Sequence, residues 1–273
     1  MEPRPRKQFA QHWLKSEKAL NQIVQAAEIT KSDRILEIGS GTGILTRRLL
    51  PLAESVVAVE IDRDLCQILA KQLGKIENFL LLQGDFLTLD LAFLLEPFPA
   101  FQKPNKVVAN IPYNITGPIL EKLLGTIANS NPEPFDEIVL LVQKEVAERL
   151  YAKPGSRAFG ALSVKVQYLA DCELICIVPA KAFYPPPKVE SAVVRLYPRQ
   201  ITNAAHKPQA LETLLKLGFG AKRKMLRNNL QTIVDRDRLT QLLRQLEISP
   251  EARAEELSVA QWVDLSNKLE ARG

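Results

Sequence analysis

Between Arg34 and Tyr151 short apolar runs alternate with amphipathic stretches, and that alternation leaves few folds open. Arg34–Ile38, Ser55–Ile61, Phe79–Gln83, Lys106–Ala109 and Glu137–Val142 read as buried strands. Ile44–Leu50, Asp62–Leu73, Gly117–Ile127 and Glu145–Tyr151 carry their apolar residues at helical spacing. Strands joined through helices run parallel, because a parallel pair needs a long crossover. The pattern therefore predicts an α/β fold with a doubly wound, mostly parallel sheet. Two further apolar runs, Cys172–Val178 and Val189–Tyr197, flank a proline-rich turn and read as an antiparallel edge hairpin, giving seven strands. Ser16–Ile29 precedes the sheet as a helix with Ser16 as its N-cap. After Pro198 the character changes. Thr202–Pro208 reads as a linker, and the remainder is helical, with caps at Ser249-Pro250 and Ser258. A length of 273 residues suits about two domains. The expected boundary lies near residue 200, dividing an α/β domain at 1–200, with an N-terminal clamp over 1–30, from a small all-helical domain at 201–273.

In open α/β sheets ligands bind outside the carboxyl ends of the strands. The stretch Asn110-Ile111-Pro112-Tyr113 follows the run Val107-Val108-Ala109 at such an end. Asn110 can accept a hydrogen bond from an amine. Pro112 biases Ile111 away from the helical region and fixes where its carbonyl points, and Tyr113 can lie flat against a base. Two acceptors aimed at one nitrogen over an aromatic floor describe a pocket for the 6-amino group of adenine. Glu37-Ile38-Gly39-Ser40-Gly41-Thr42-Gly43 follows the first strand and opens a helix. Its glycines let backbone approach a ligand closely. They fall at alternate positions, and Ile44 stands where a dinucleotide fingerprint has its third glycine. That spacing resembles motif I of S-adenosylmethionine-dependent methyltransferases. Glu60, ending the second strand, can accept both ribose hydroxyls of an adenosyl group, and Ile61 can lie on the adenine. Asp85, in Gln83-Gly84-Asp85-Phe86, can accept from the adenine amine. Either carboxylate alone could equally be a solvated strand terminus. Gly39, Glu60, Asp85 and Asn110 at successive strand ends form a pattern.

Over nearly its whole length the chain resembles the ribosomal RNA small-subunit adenine dimethyltransferase family, the kasugamycin-resistance methylases. Besides the two motifs above, the similarity rests on the clamp Lys7–Leu14, on Gln143–Leu150 with the Lys-Pro-Gly-Ser loop after it, on Phe183–Ser191 and on Lys222–Leu230. Two clamp positions depart from the pattern: Ala10 replaces a glycine and Trp13 a phenylalanine. The resemblance implies that His12 and Leu14 join Gly39, Gly41, Glu60, Ile61, Asp85 and Asn110 around S-adenosylmethionine. It also implies that Phe183 faces Tyr113 across the target base, with an aromatic packed on the core as the plainer alternative. The implied reaction methylates twice each of two adjacent adenosines in the 3′-terminal hairpin of small-subunit rRNA, within immature 30S-type particles. Competing readings are methylation of a large-subunit rRNA adenine, as in the macrolide-resistance methylases, and a ribosome-assembly factor acting mainly by binding. Asn110, Ile111, Pro112, Tyr113 and Phe183 are then the expected catalytic set.

Charge agrees with a polyanionic partner. The formal net charge is +5, and its distribution says more than its sum. From Asn203 to Thr232 the basic residues Lys207, Lys216, Lys222, Arg223, Lys224 and Arg227 are opposed by Glu212 alone. Clustered cations are the footprint of nucleic-acid binding, although solubilising charge on helix faces gives the same pattern. The expected RNA contacts are Arg6, Lys7, Lys153, Arg157, Lys188, Lys222, Arg223, Lys224 and Arg227. Cys66, Cys172 and Cys176 read as three buried thiols, because His12 and His206 are too few to complete a zinc site with them. No apolar run approaches the roughly 18 residues of a membrane span, and no signal-peptide pattern opens the chain. A cytoplasmic monomer without a metal is the expectation.

Overall fold

The structure is a computed structural model that describes residues 5, 6, 9 and 11–270. By contact it divides into two compact units. The first comprises Met1–Leu123, Glu133–Ala147 and Cys172–Pro198; the second comprises Leu124–Pro132, Glu148–Asp171 and Arg199–Gly273. One cut falls between Pro198 and Arg199. The second unit also takes two segments from inside the α/β part of the chain, which linear patterning cannot reveal.

In chain order the first unit opens with β1 (Trp13–Leu14) and α1 (Glu17–Ala26), followed by β2 (Arg34–Ile38) and α2 (Thr46–Leu49). Next come β3 (Ser55–Glu60), α3 (Arg63–Leu73), β4 (Phe79–Gln83) and α4 (Leu91–Leu95). Then follow β5 (Lys106–Asn110), α5 (Thr116–Leu124), β6 (Glu137–Gln143) and α6 (Lys144–Tyr151). After α7 (Ala161–Leu169) come β7 (Ala170–Val178), β8 (Phe183–Tyr184) and β9 (Ser191–Pro198). The main sheet has seven strands in the order β4-β3-β2-β5-β6-β9-β7. Strands β2 to β6 pair in parallel, and β9 runs antiparallel to β6. The two strands of the expected edge hairpin are neighbours: β9 pairs with β6, and β7 beyond it forms the edge. Every residue of β3 is buried, as expected for a parallel strand covered on both faces.

From β2 the chain winds outward through β3 to β4 and then returns to place β5 on the other side of β2. The sheet's switch point therefore lies between β2 and β5, where such sheets bind ligands. At the opposite strand ends the polar groups are paired. Lys106 Nζ lies 3.3 Å from Asp33 and 3.2 Å from Glu137, its cross-strand partner. Asn105 links Arg34, Asp33 and Asp136. These contacts fix the starts of β2, β5 and β6 and leave the carboxyl ends free for chemistry. A separate two-stranded ribbon pairs Trp13 with Tyr184 and Leu14 with Phe183.

The second unit is helical. Its later elements are α8 (Pro208–Gly218), α9 (Leu226–Asn229), α10 (Arg236–Gln245) and α11 (Val259–Glu270). Trp262 is fully buried and meets Phe219 ring to ring at 5.4 Å. A Cβ at Gly218 would fall 2.4 Å from the Trp262 ring, so only glycine lets these helices close. Helix α7 buries Ser163, Val164, Val166, Tyr168 and Leu169, which form no single helical stripe, so local periodicity does not mark it. Among the described residues no helix is long and apolar enough to cross a membrane. Cys66, Cys172 and Cys176 are free thiols, but Cys172 and Cys176 are only half-buried. That corrects the reading of three buried ones.

Candidate active site

A cleft of about 760 Å³, part of it open solvent, lies at the carboxyl ends of β2 to β5. His12, Gly39, Gly41, Glu60, Ile61, Asp85 and the whole of Asn110–Tyr113 line it. Gly39, Gly41 and Gly43 all have positive φ, which accounts for glycine at alternate positions of this turn. A Cβ built on Gly39 would lie 3.7 Å from both the Asn110 carbonyl and the Pro112 ring. The turn after β2 and the motif after β5 therefore meet across the switch point.

Glu60 is 4% exposed. Its Oε2 accepts the Gly41 N–H at 2.7 Å and its Oε1 accepts the Asp62 N–H at 2.9 Å. Burial raises the Glu60 carboxyl above its ordinary range, against the pull of the backbone N–H groups of Asp62, Gly41 and Ile61. Beside it Ile61 is 43% exposed, an apolar side chain presented to the cleft. Glu37, on the neighbouring strand β2, is 1% exposed and accepts from Thr46 Oγ1 at 2.6 Å. Its burial pushes the carboxyl up to about 8, in spite of that hydroxyl.

Asp85 Oδ1 accepts the Leu87 N–H at 2.9 Å and starts a tight loop. Lys122 on α5 ties that loop down, donating to the carbonyls of Phe86 (2.6 Å), Leu87 (3.3 Å) and Leu89 (2.6 Å). Its ammonium stands 4.9 Å from the centre of the Phe86 ring, and Phe86 lines the cleft. Burial lowers the Lys122 pKa, although Asp85 and Asp90 favour the charge. The sequence reading gave no role to Lys122 or Phe86. A single lysine that donates to three carbonyls of a distant loop leaves no mark in sequence.

Asn110 donates through Nδ2 to the His12 carbonyl, a long contact at 3.4 Å, which leaves Oδ1 as the amide's acceptor. The Tyr113 hydroxyl and Ser191 Oγ lie 2.5 Å apart, with Ser191 fully buried on β9. That bond fixes the plane of the Tyr113 ring. Burial raises the Tyr113 phenol, so it stays neutral at physiological pH. The His12 imidazole lies over Tyr113 with ring centres 5.9 Å apart, and its Nδ1–H donates to the Pro185 carbonyl at 2.7 Å.

Not every expected residue comes to the cleft. Phe183 is 4% exposed, paired with Leu14 and packed in the main core, and it is absent from the cleft lining. Leu14 is likewise buried, and reaches only a smaller recess beside the glycine turn. Arg6 is an ion-pair partner instead of a free cation: its guanidinium engages Asp62 at 3.1 Å and also Asp64. Lys7 and the substituted Ala10 lie outside the described residues. Lys153, Arg157, Lys188, Lys222, Arg223 and Lys224 are exposed, and Arg227 is half-buried. Within the second unit two of the basic segments meet one stretch of chain. Gly155 N–H donates to the Glu255 carbonyl at 2.7 Å, and Leu226 N–H donates to that of Ala252 at 2.8 Å.

Known proteins resemble this chain in sequence and fold. Ribosomal RNA small subunit methyltransferase A of Nostoc punctiforme is 76% identical over 272 residues, which cover 97% of this chain and 95% of that protein. A crystal structure of a dimethyladenosine transferase from Plasmodium falciparum matches with a TM-score of 0.77 at 28% identity, over 93% of this chain and 96% of that one. The structure of the 23S rRNA methyltransferase ErmE matches with a TM-score of 0.74 at 27% identity, over 94% and 99%. The family model described as ribosomal RNA adenine dimethylase covers residues 3–271, and the chain belongs to that family.

Proposed function

We propose that this protein transfers methyl groups from S-adenosylmethionine to the 6-amino groups of two adjacent adenosines in the 3′-terminal hairpin of small-subunit rRNA, dimethylating each. The cleft residues fit the donor. Glu60 offers a buried carboxylate, Ile61 an exposed apolar surface, and Gly39 and Gly41 a backbone without Cβ atoms. Bound there, S-adenosylmethionine supplies a methyl group on a sulfonium, already a strong electrophile.

The protein's own task is alignment and charge placement. The lone pair of an adenine amine is delocalised into the ring and needs both. Asn110 Oδ1, held outward by the Nδ2 contact to His12, accepts one amine proton and shifts electron density onto the nitrogen. The Ile111 carbonyl accepts the second, with Pro112 extended at φ −61 and ψ 132 to fix the chain beyond it. Tyr113, locked by Ser191, gives the base a face to stack on, worth about 1–3 kcal/mol. As the N–C bond forms and the methyl–sulfur bond breaks, leaving a neutral thioether, the nitrogen becomes acidic and releases its proton to water, so no side chain acts as base. Lys153, Arg157, Lys222, Arg223 and Lys224 take the phosphates, and the shared stretch Ala252–Glu255 supports them as one patch of the second unit. Immature 30S-type particles are the substrate we favour, and a base in a loop is the cheapest to extract from its stack.

The observation that carries this reading is the meeting of the Asn110–Tyr113 motif with the glycine turn at the switch point. The likeness to ErmE keeps a large-subunit adenine as the second reading. Incubating the pure protein with immature small subunits and S-adenosylmethionine, then mass-mapping the RNA, separates them. Two dimethyladenosines side by side near the 3′ end support the proposal, and methyl groups confined to large-subunit RNA, or absent from RNA, overturn it. With cofactor at saturation, Asn110→Ala should lose about a hundredfold in turnover, the size of a lost transition-state acceptor.

A further inference from the structure

The recess beside the glycine turn holds two polar atoms that the fold leaves without partners. Trp13 Nε1 and Ser40 Oγ are both buried, and neither has a hydrogen-bond partner among the described residues. Ser40 is only 5% exposed. Both residues line this recess together with Gly41, Thr42 and Asn110, and Trp13 also lines the main cleft. The indole edge rides on the turn itself: a Cβ at Gly41 would lie 3.6 Å from Trp13 Cδ1 and 3.8 Å from Nε1. The ring is held there from behind. Trp13 pairs with Tyr184 in the ribbon, Leu14 is locked in the core, and the Lys15 N–H donates to the Ala182 carbonyl at 2.8 Å.

A buried donor without an acceptor is costly, and native structures rarely keep one without a reason. An indole N–H can only donate, so what it awaits is an acceptor. The opposite end of the cleft, at Glu60, Ile61 and Phe86, suits a ribose and a purine, so the remaining end of the donor molecule points towards Gly41 and Trp13. That end carries an α-carboxylate. We propose that the Trp13 indole N–H, with the Ser40 hydroxyl beside it, binds the carboxylate of the methyl donor's amino-acid end. Trp13 is then a cofactor-binding residue in addition to those assigned above. The inference rests on the reading of the cleft as an S-adenosylmethionine site.

Two probes that differ only at that end isolate the contact. S-adenosylhomocysteine carries the amino-acid end, and 5′-methylthioadenosine lacks it. Calorimetric titration of the full chain should show Trp13→Phe weakening S-adenosylhomocysteine about tenfold or more, the range for a hydrogen bond to a charged group. Its affinity for 5′-methylthioadenosine should stay that of the unsubstituted protein. The chain has two tryptophans, so two indole N–H signals are expected in a nitrogen-15 spectrum. S-adenosylhomocysteine should move the Trp13 signal downfield while 5′-methylthioadenosine leaves it in place, a readout that needs no variant. Equal weakening of both ligands, or of neither, overturns the proposal, as does a Trp13 signal that responds alike to both. If the unsubstituted protein binds neither ligand, the assignment of the cleft fails first and takes this inference with it.

Discussion

Replacing Glu37 by glutamine should change how stability depends on pH, and the size of the change follows from its surroundings. The carboxyl is 1% exposed at the end of β2 and its one hydroxyl donor is Thr46 Oγ1. Burial raises it from 4.5 to about 8. In the unfolded chain it ionises near 4.5, in the fold only near 8, so the folded state binds the extra proton in between. A group raised in this way stabilises the fold fully below pH 4.5, and the contribution is lost as pH climbs towards 8. The slope is about 1.4 kcal/mol per pH unit within that window. Between pH 5.5 and pH 8 the loss sums to about 3 kcal/mol, allowing for partial titration at both ends. Glutamine has nearly the same shape, can still accept from Thr46, and does not titrate. Equilibrium urea unfolding followed by circular dichroism at the two pH values, on both proteins, reads the difference. The unsubstituted protein should lose about 3 kcal/mol more than Glu37→Gln over the interval. Because Glu60 and Glu137 are also raised by burial, only this difference between proteins is informative. Parallel pH profiles would show that the buried carboxyl titrates normally, and would sink the argument.

Other outcomes follow from single contacts. Glu60→Ala removes the acceptor of Gly41 and Asp62 and any ribose contact, so S-adenosylhomocysteine affinity should drop at least tenfold by calorimetry. Tyr113→Phe leaves the Ser191 hydroxyl buried without a partner and should cost about 1–3 kcal/mol in urea unfolding. Adding Ser191→Ala should restore most of that loss, and a double variant no better than the single would contradict this account. Neutralising Lys222, Arg223 and Lys224 together should weaken RNA binding and flatten its salt dependence by about 2–3 units of slope. An unchanged slope would move the RNA face elsewhere.

Much of this molecule is written in short-range patterns. The sheet was legible because buried parallel strands must be runs of apolar residues and the connecting helices must be amphipathic, and Ser55–Glu60 and Arg63–Leu73 show each kind without ambiguity. The site was legible because the glycine turn and the Asn110–Tyr113 motif are contiguous, and because strand order follows from winding rules that bring contiguous motifs to one edge. Residues whose role depends on what lies opposite them were not. Phe183 packs in the core beside Leu14, and Arg6 pairs with Asp62 and Asp64, partners that no local pattern announces. Lys122, Ser191 and the half-exposed Cys172 and Cys176 acquire their surroundings from segments far away in sequence. So does the second unit, which gathers Leu124–Pro132 and Glu148–Asp171 with the C-terminal helices. Periodicity and motif are properties of neighbours along the chain, and they settle what each segment becomes. Burial, charge pairing and the direction of a side chain depend on neighbours in space, and only the folded protein determines those.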